Sequence, residues 1–121
     1  MKRILVIDDS TAIRRAIRSI VEPMGFDVLE AKDGAEALEV ATSTPLDAVL
    51  CDIDMPVMDG LTFVSALRDN PDMPQPPIIM CTTHNSIEKI SDALGRGANE
   101  YIMKPFDREV IGEKLVAVGI E

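Results

Sequence analysis

Short apolar bursts alternate along the chain with longer stretches in which apolar residues recur every three or four positions. The first burst, Ile4 to Ile7, is branched, brief and ends in Asp8-Asp9, which predicts a strand buried on both faces. Ser10 or Thr11 then caps a helix carrying Ile13, Ile17, Ile20, Val21 and Met24, closed by Pro23 and Gly25. Phe26 to Ala31 predicts a second strand. Asp33-Gly34 reads as a turn, and Ala35, Leu38 and Ala41 line the face of a helix that Pro45 interrupts. Leu46 to Cys51 is the third strand and meets Asp52. A polar, glycine-containing loop runs to Gly60, after which Leu61, Val64 and Leu67 mark another helix. Pro71, Pro74, Pro76 and Pro77 predict a long surface loop rather than an interdomain linker. Ile78 to Cys81 is the fourth strand. Ser86 caps a helix with Ile87, Ile90, Ala93 and Leu94, ended by Gly95 and Gly97. Glu100 to Met103 is the fifth strand, and a last helix starts near Asp107 with Val110, Ile111, Leu115 and Val118.

Five strands alternating with five helices predict a doubly wound α/β fold. The sheet is expected to be parallel, in the flavodoxin-like order 2-1-3-4-5, with right-handed crossovers placing helices on both faces. The chain has 121 residues, a length that suits a single domain over 1–121. With no tryptophan and Tyr101 the one tyrosine, the core must be aliphatic, with Phe26, Phe63 and Phe106 contributing.

Twelve basic residues against 21 acidic ones give a formal charge of -9. That argues against a broad nucleic-acid footprint, which needs a basic face, and against an anionic membrane surface. Arg14, Arg15 and Arg18 cluster locally; they read as a solvated helix face, with a partner-docking patch as the alternative. Cys51 and Cys81 lie in or beside apolar runs and read as small buried hydrophobes. The basic-then-apolar start meets Asp8-Asp9 too soon for a signal peptide, and no run reaches membrane-spanning length. A soluble, cytoplasmic protein is expected.

Polar residues follow the apolar bursts consistently: Asp8-Asp9 after the first, Asp52 after the third, Thr82 and Thr83 after the fourth, Lys104 after the fifth. In a parallel sheet the carboxyl ends of the strands share one edge, where open α/β sheets bind ligands. Three carboxylates there raise one another's pKa unless neutralised. Magnesium suits the oxygen set, with Asp9 and Asp52 as direct ligands, Asp8 acting through water, and the Asp54 backbone carbonyl completing the protein share. The competing reading has Asp8 and Asp9 merely capping a helix. Asp52 is the candidate nucleophile for an acyl phosphate. The metal and Lys104 would bear the equatorial charge, and the Thr82 hydroxyl would donate to a phosphate oxygen.

The stretches Ile4-Leu5-Val6-Ile7-Asp8-Asp9-Ser10, Asp52-Ile53-Asp54-Met55-Pro56, Met58-Asp59-Gly60, Thr82 and Lys104-Pro105-Phe106, in that order and at strand ends, resemble the bacterial response-regulator receiver family. They are most similar to its single-domain chemotaxis regulators of the CheY type, and the resemblance covers essentially the whole chain. It implies Asp52 as phosphoacceptor, Asp8 and Asp9 as the acidic metal pocket, and Thr82 and Lys104 as phosphate contacts. It also implies a cis Lys104-Pro105 bond and Tyr101 as a switch aromatic drawn inward as Thr82 moves. A sensor histidine kinase or phosphotransfer protein would supply the phosphoryl group, docking on the first helix, and the flagellar motor switch would be the target. A phosphatase is a further implied partner. No output domain follows residue 121, so a monomeric shuttle that turns over no external substrate is expected. A relay shuttle or phosphate sink shares this architecture. Thr83, where the family usually has a small residue, departs from its commonest pattern. So do His84 and Asp54, which are expected to face each other across the site mouth and tune dephosphorylation.

Two other classes fit less well. Asp52-Ile53-Asp54 resembles the Asp-x-Asp of haloacid-dehalogenase-type phosphohydrolases, but that motif normally follows the first strand of a longer, capped chain. A nucleotide-binding module would need a glycine-rich phosphate loop after the first strand, and none is present.

Overall fold

A computed structural model describes residues 1–83 and 87–120. Its elements alternate as the sequence predicts: β1 (Arg3–Ile7), α1 (Thr11–Val21), a 3-10 turn (Glu22–Met24), β2 (Asp27–Ala31), α2 (Gly34–Ser43), β3 (Ala48–Cys51), α3 (Gly60–Arg68), β4 (Ile78–Thr82), α4 (Ile87–Arg96), β5 (Glu100–Met103) and α5 (Arg108–Ala117). All pairings are parallel, in the order β2-β1-β3-β4-β5, which is the flavodoxin-like order expected.

Alternation along each strand splits the core in two. Leu5, Ile7, Val49, Cys51, Ile78 and Met80 pack on the face covered by α2, α3 and α4. Ile4, Val6, Leu50, Ile79, Cys81 and Ile102 pack against α1 and α5. Because β1, β3 and β4 are sandwiched on both sides, they read as unbroken apolar runs. The two thiols fall on opposite faces, both buried and free. Burial pushes the Cys51 thiol well up and the Cys81 thiol to about 12.

Four details differ from the sequence reading. Asp33-Gly34 is a helix start rather than a free turn: Asp33 caps α2 by accepting from the Glu36 N–H at 2.9 Å. The buried face of that helix is Gly34, Ala37 and Ala41, with Leu38 packed partly beneath and Ala35 only half-buried. In α4 Gly95 lies inside the helix and Gly97, at φ +118°, follows its end. Ala93 is the buried residue of α4, while Ile87 is 80% and Leu94 40% exposed. The Ser86 cap lies outside the described residues. Ser10, rather than Thr11, caps α1.

The proline-rich segment is a surface loop. Arg68 fastens it, donating to the Pro76 carbonyl, the Gln75 side chain, the Gly97 carbonyl and the Asn99 side chain at 2.8–2.9 Å. Among the described residues no helix is long and apolar enough to cross a membrane.

The loop from β3 to α3 is held closely. Gly60 donates to the Ile53 carbonyl at 2.8 Å, and a Cβ at Gly60 would overlap the Asp52 carbonyl oxygen. Inside that loop the Met58 N–H returns to the Pro56 carbonyl at 2.8 Å, closing a three-residue turn around Val57 at φ +71°. A branched side chain in the left-handed region costs roughly 1–3 kcal/mol, and Val57 is 86% exposed and gains no packing in return. Val57→Asn is therefore expected to stabilise the protein by about 1 kcal/mol, raising Tm by a few degrees; a thermal melt in which Asn matches or falls below Val removes the strain argument.

Candidate functional site

The candidate residues converge at the carboxyl edge of the sheet. Asp8 and Asp9 leave β1, Asp52 leaves β3, Thr82 ends β4 and Lys104 follows β5. One carboxylate oxygen from each of Asp8, Asp9 and Asp52 lies within 4.8 Å of the others. Opposite corners of a magnesium-sized octahedron are about 4.2 Å apart, so this oxygen-only set suits a small hard divalent cation. The helix-capping alternative fails on inspection, because Ser10 supplies the cap of α1 through the Ile13 N–H at 3.2 Å.

Asp8 is 2% exposed and fully committed. Its N–H donates to the Ala31 carbonyl at 3.1 Å, and its carbonyl accepts from Arg14 Nη1 at 2.7 Å. Oδ1 accepts from the Ser10 N–H at 2.9 Å and Oδ2 from Lys104 Nζ at 2.7 Å. Asp9, by contrast, is exposed, and its carboxylate has no hydrogen-bond partner among the described residues.

Asp52 is half-buried at the centre. Its Oδ1 accepts from the Ile53 N–H at 2.9 Å and lies 3.6 Å from Lys104 Nζ. The Cys51 thiol donates to the Asp52 carbonyl at 3.1 Å. Burial raises the Asp52 pKa from its ordinary value; the pull of Lys104 opposes the rise and the Asp8 charge adds to it. Burial alone would lower the Lys104 pKa, but the Asp8 hydrogen bond and the charges of Asp52 and Asp8 carry it up. The Lys104-Pro105 bond is cis, as the resemblance implies.

Thr82 is fully buried, and its carbonyl accepts from the Lys104 N–H at 2.8 Å. Tyr101, opposite Met80 in the register, is half-buried against the α2–α4 side of the core. Lys114 Nζ stands 5.4 Å from the centre of its ring and 3.0 Å from Glu100 Oε1. Asp54 is exposed in the β3–α3 loop. His84, and with it the expected Asp54–His84 pair, lies outside the described residues.

The arginine cluster divides. Arg15 is exposed, but Arg14 and Arg18 turn inward, their Nε atoms 2.9 and 2.8 Å from the two oxygens of Glu30 on β2. Burial would raise the Glu30 pKa, yet hydrogen bonds and charge from both arginines hold it low. The sequence reading missed Glu30; its signal was an acid breaking the apolar run Val28-Leu29-Glu30-Ala31. With two of three cations spent, the helix surface near Lys104 is largely apolar. Ile13, Ala16, Ile20, Pro105 and Phe106 line a groove of about 320 Å³ there. A larger concavity between Met24 and α5 lies apart from these groups.

An acid–lysine centre at the carboxyl edge of a parallel sheet in this order defines a flavodoxin-like α/β protein with its site at the strand ends. Residues 4–116 match the response regulator receiver domain, and the chain belongs to that family. It is 39% identical to chemotaxis protein CheY1 of Helicobacter pylori over 96% of this chain and 95% of that one. It is also 39% identical to a chemotaxis CheY homologue of Campylobacter jejuni, over 93% and 88% of the two chains. The structure of Vibrio cholerae CheY4 superposes with a TM-score of 0.91 at 36% identity, covering 98% of both chains. As a member of the family the chain is phosphorylated on an aspartate in a two-component system. It meets a histidine-kinase phosphodonor, and it gains and loses its own phosphoryl group rather than turning over an external substrate.

The raised Asp52 pKa has a consequence for stability. Between 3.8, the ordinary value, and the higher folded value, the folded state binds a proton that the unfolded chain has released. Stability from the protonated form is present below that window and lost as pH rises through it. In EDTA, Asp52→Asn is expected to be more stable than the parent at pH 7, with the difference vanishing near pH 3. Urea unfolding across that range checks this, and a parent that matches or exceeds the Asn protein at pH 7 contradicts it.

Proposed function

We propose that Asp52 is the phosphoacceptor, that magnesium is held by Asp9, Asp52 and the Asp54 backbone carbonyl, with Asp8 acting through water, and that Thr82 and Tyr101 carry the switch. The observation that supports this most is the meeting of the Lys104 ammonium with Asp8 and Asp52 at 2.7 and 3.6 Å. An Asp52 oxygen attacks phosphorus, the phosphorus–nitrogen bond of a phosphohistidine breaks, and the leaving imidazole takes up a proton. Magnesium, held by Asp9, Asp52 and the Asp54 carbonyl, would supply positive charge to offset that of the phosphoryl oxygens. Lys104, already aimed at Asp52, would transfer part of its attraction from Asp8 to the phosphoryl group. The Thr82 hydroxyl would donate to a phosphoryl oxygen, and Tyr101 on β5, paired with Met80 two residues before Thr82, would follow.

The phosphodonor is a histidine kinase or phosphotransfer domain that seats an apolar ridge in the groove of Ile13, Ala16, Ile20 and Phe106. Since Arg14 and Arg18 are spent on Glu30, that encounter depends little on salt. The likeness to chemotaxis proteins supports the flagellar motor switch as target, with the 1–121 chain acting as one receiver domain.

Labelling with a small phosphoramidate in magnesium tests the acceptor: the parent takes one phosphoryl group, Asp52→Asn loses it, and Lys104→Met falls by at least tenfold. Undiminished labelling of the Asn protein at the same stoichiometry rejects Asp52. Motor control is tested by swimming behaviour in source cells lacking the chain. Parent protein restores reversals and Asp52→Asn does not; unaltered swimming in the deletion strain points to relay or sink instead.

A further inference from the structure

We infer that Arg14, braced by Glu30, is a positioning residue for the metal pocket: it fixes the Asp8 carbonyl and through it the turn that aims Asp9. The inference rests on the metal reading given above and extends it to residues outside the acidic triad.

Register pairing of β1 with both neighbours stops at Ile7. The Asp8 carbonyl is therefore the first beyond the ladder and has no strand to pair with. Arg14 Nη1 takes the place of that strand at 2.7 Å. The guanidinium is fixed at a second point by Glu30 Oε1 at 2.9 Å and at a third by Thr11 Oγ1 at 3.2 Å. Its side chain is 15% exposed, so this is a built-in brace rather than a loose surface contact. A planar fork that spans a carboxylate and a carbonyl holds both in fixed directions.

Asp9 needs such a brace. Its exposed carboxylate has no hydrogen-bond partner among the described residues, so its direction is set by the backbone of the turn alone. Asp8 is held by four separate groups: the Ser10 N–H, closing onto Oδ1, spans Asp9 from the side-chain side, and Arg14 alone among the four holds the carbonyl of the bond leading into Asp9. The simpler account, that Arg14 just ties α1 to β2, is already served by Arg18. That residue shares Glu30 at 2.8 Å and donates to the Val28 carbonyl at 3.1 Å, but it does not reach Asp8. Arg18 is therefore an internal control with the same anchor and a different target.

The test is calorimetric titration of the unphosphorylated full chain with magnesium chloride, alongside thermal melts. Arg14→Met is expected to weaken magnesium binding roughly tenfold, the range seen when groups that orient a ligand are removed. Arg18→Met should stay within about twofold of the parent on the same scale, even where it lowers Tm as much. Arg14→Lys should recover only part of the affinity, since one ammonium cannot span Glu30 and the Asp8 carbonyl in the same geometry. Should Arg14→Met unfold, Glu30→Gln loosens the brace without an unpaired cavity and should weaken binding in the same direction. A folded Arg14→Met protein with parental affinity overturns the inference, as does equal weakening by Arg18→Met. A parent that binds no magnesium at all defeats the metal reading itself, and the inference with it.

Discussion

A lone carboxylate buried as deeply as Asp8, at 2% exposure, would cost several kcal/mol. The Lys104 ammonium 2.7 Å away, 96 residues distant in sequence, offsets that cost. It also faces Asp52, so a single cation holds two acids that would otherwise repel. Its reach depends on two remote pieces of chain arriving at one rim, which the parallel sheet ensures by directing the ends of β1, β3, β4 and β5 the same way. The site is thus a product of topology first and of side-chain chemistry second.

The same rim has an uneven distribution of constraint. Asp8 is saturated by hydrogen bonds, Asp52 is partly held, and Asp9 is open to solvent. Such a gradient leaves the rim open at Asp9 while its back wall at Asp8 stays rigid. Around it, α1 has turned two of its arginines inward to Glu30, leaving an apolar surface beside Lys104. On the far edge, α4 buries little beyond Ala93 and leaves Ile87 and Leu94 in water. The helices therefore differ in how firmly they are fixed to the sheet.

Most of the fold was legible because period and punctuation agreed. Apolar bursts of four to six residues ended in acids, threonines or a lysine, and every one became a strand of the parallel sheet. The gathering of the candidate residues at one rim was legible for the same reason, since strand-end residues project from one edge. What escaped was pairing between elements. Nothing in one-dimensional spacing says that Arg14 and Arg18 select Glu30 rather than solvent, or that Arg68 reaches Gly97 and Asn99. The faces of α2 and α4 were read one position off or too broadly, because short helices packed at the end of a sheet bury a narrow stripe. Val57 gave no warning, since a strained turn depends on closure of its flanks rather than on its own residue type.

The placement of the two thiols has a practical side. Cys51 and Cys81 sit on opposite faces of the sheet, sealed under helices, with their ionisation driven far above neutral pH. Alkylating reagents attack thiolates that solvent can reach, so in the native protein both sulfurs are chemically silent. A single cysteine engineered on the exterior can then carry a probe without stripping the native pair, and the delayed modification of Cys51 and Cys81 becomes a clock for opening of the sheet.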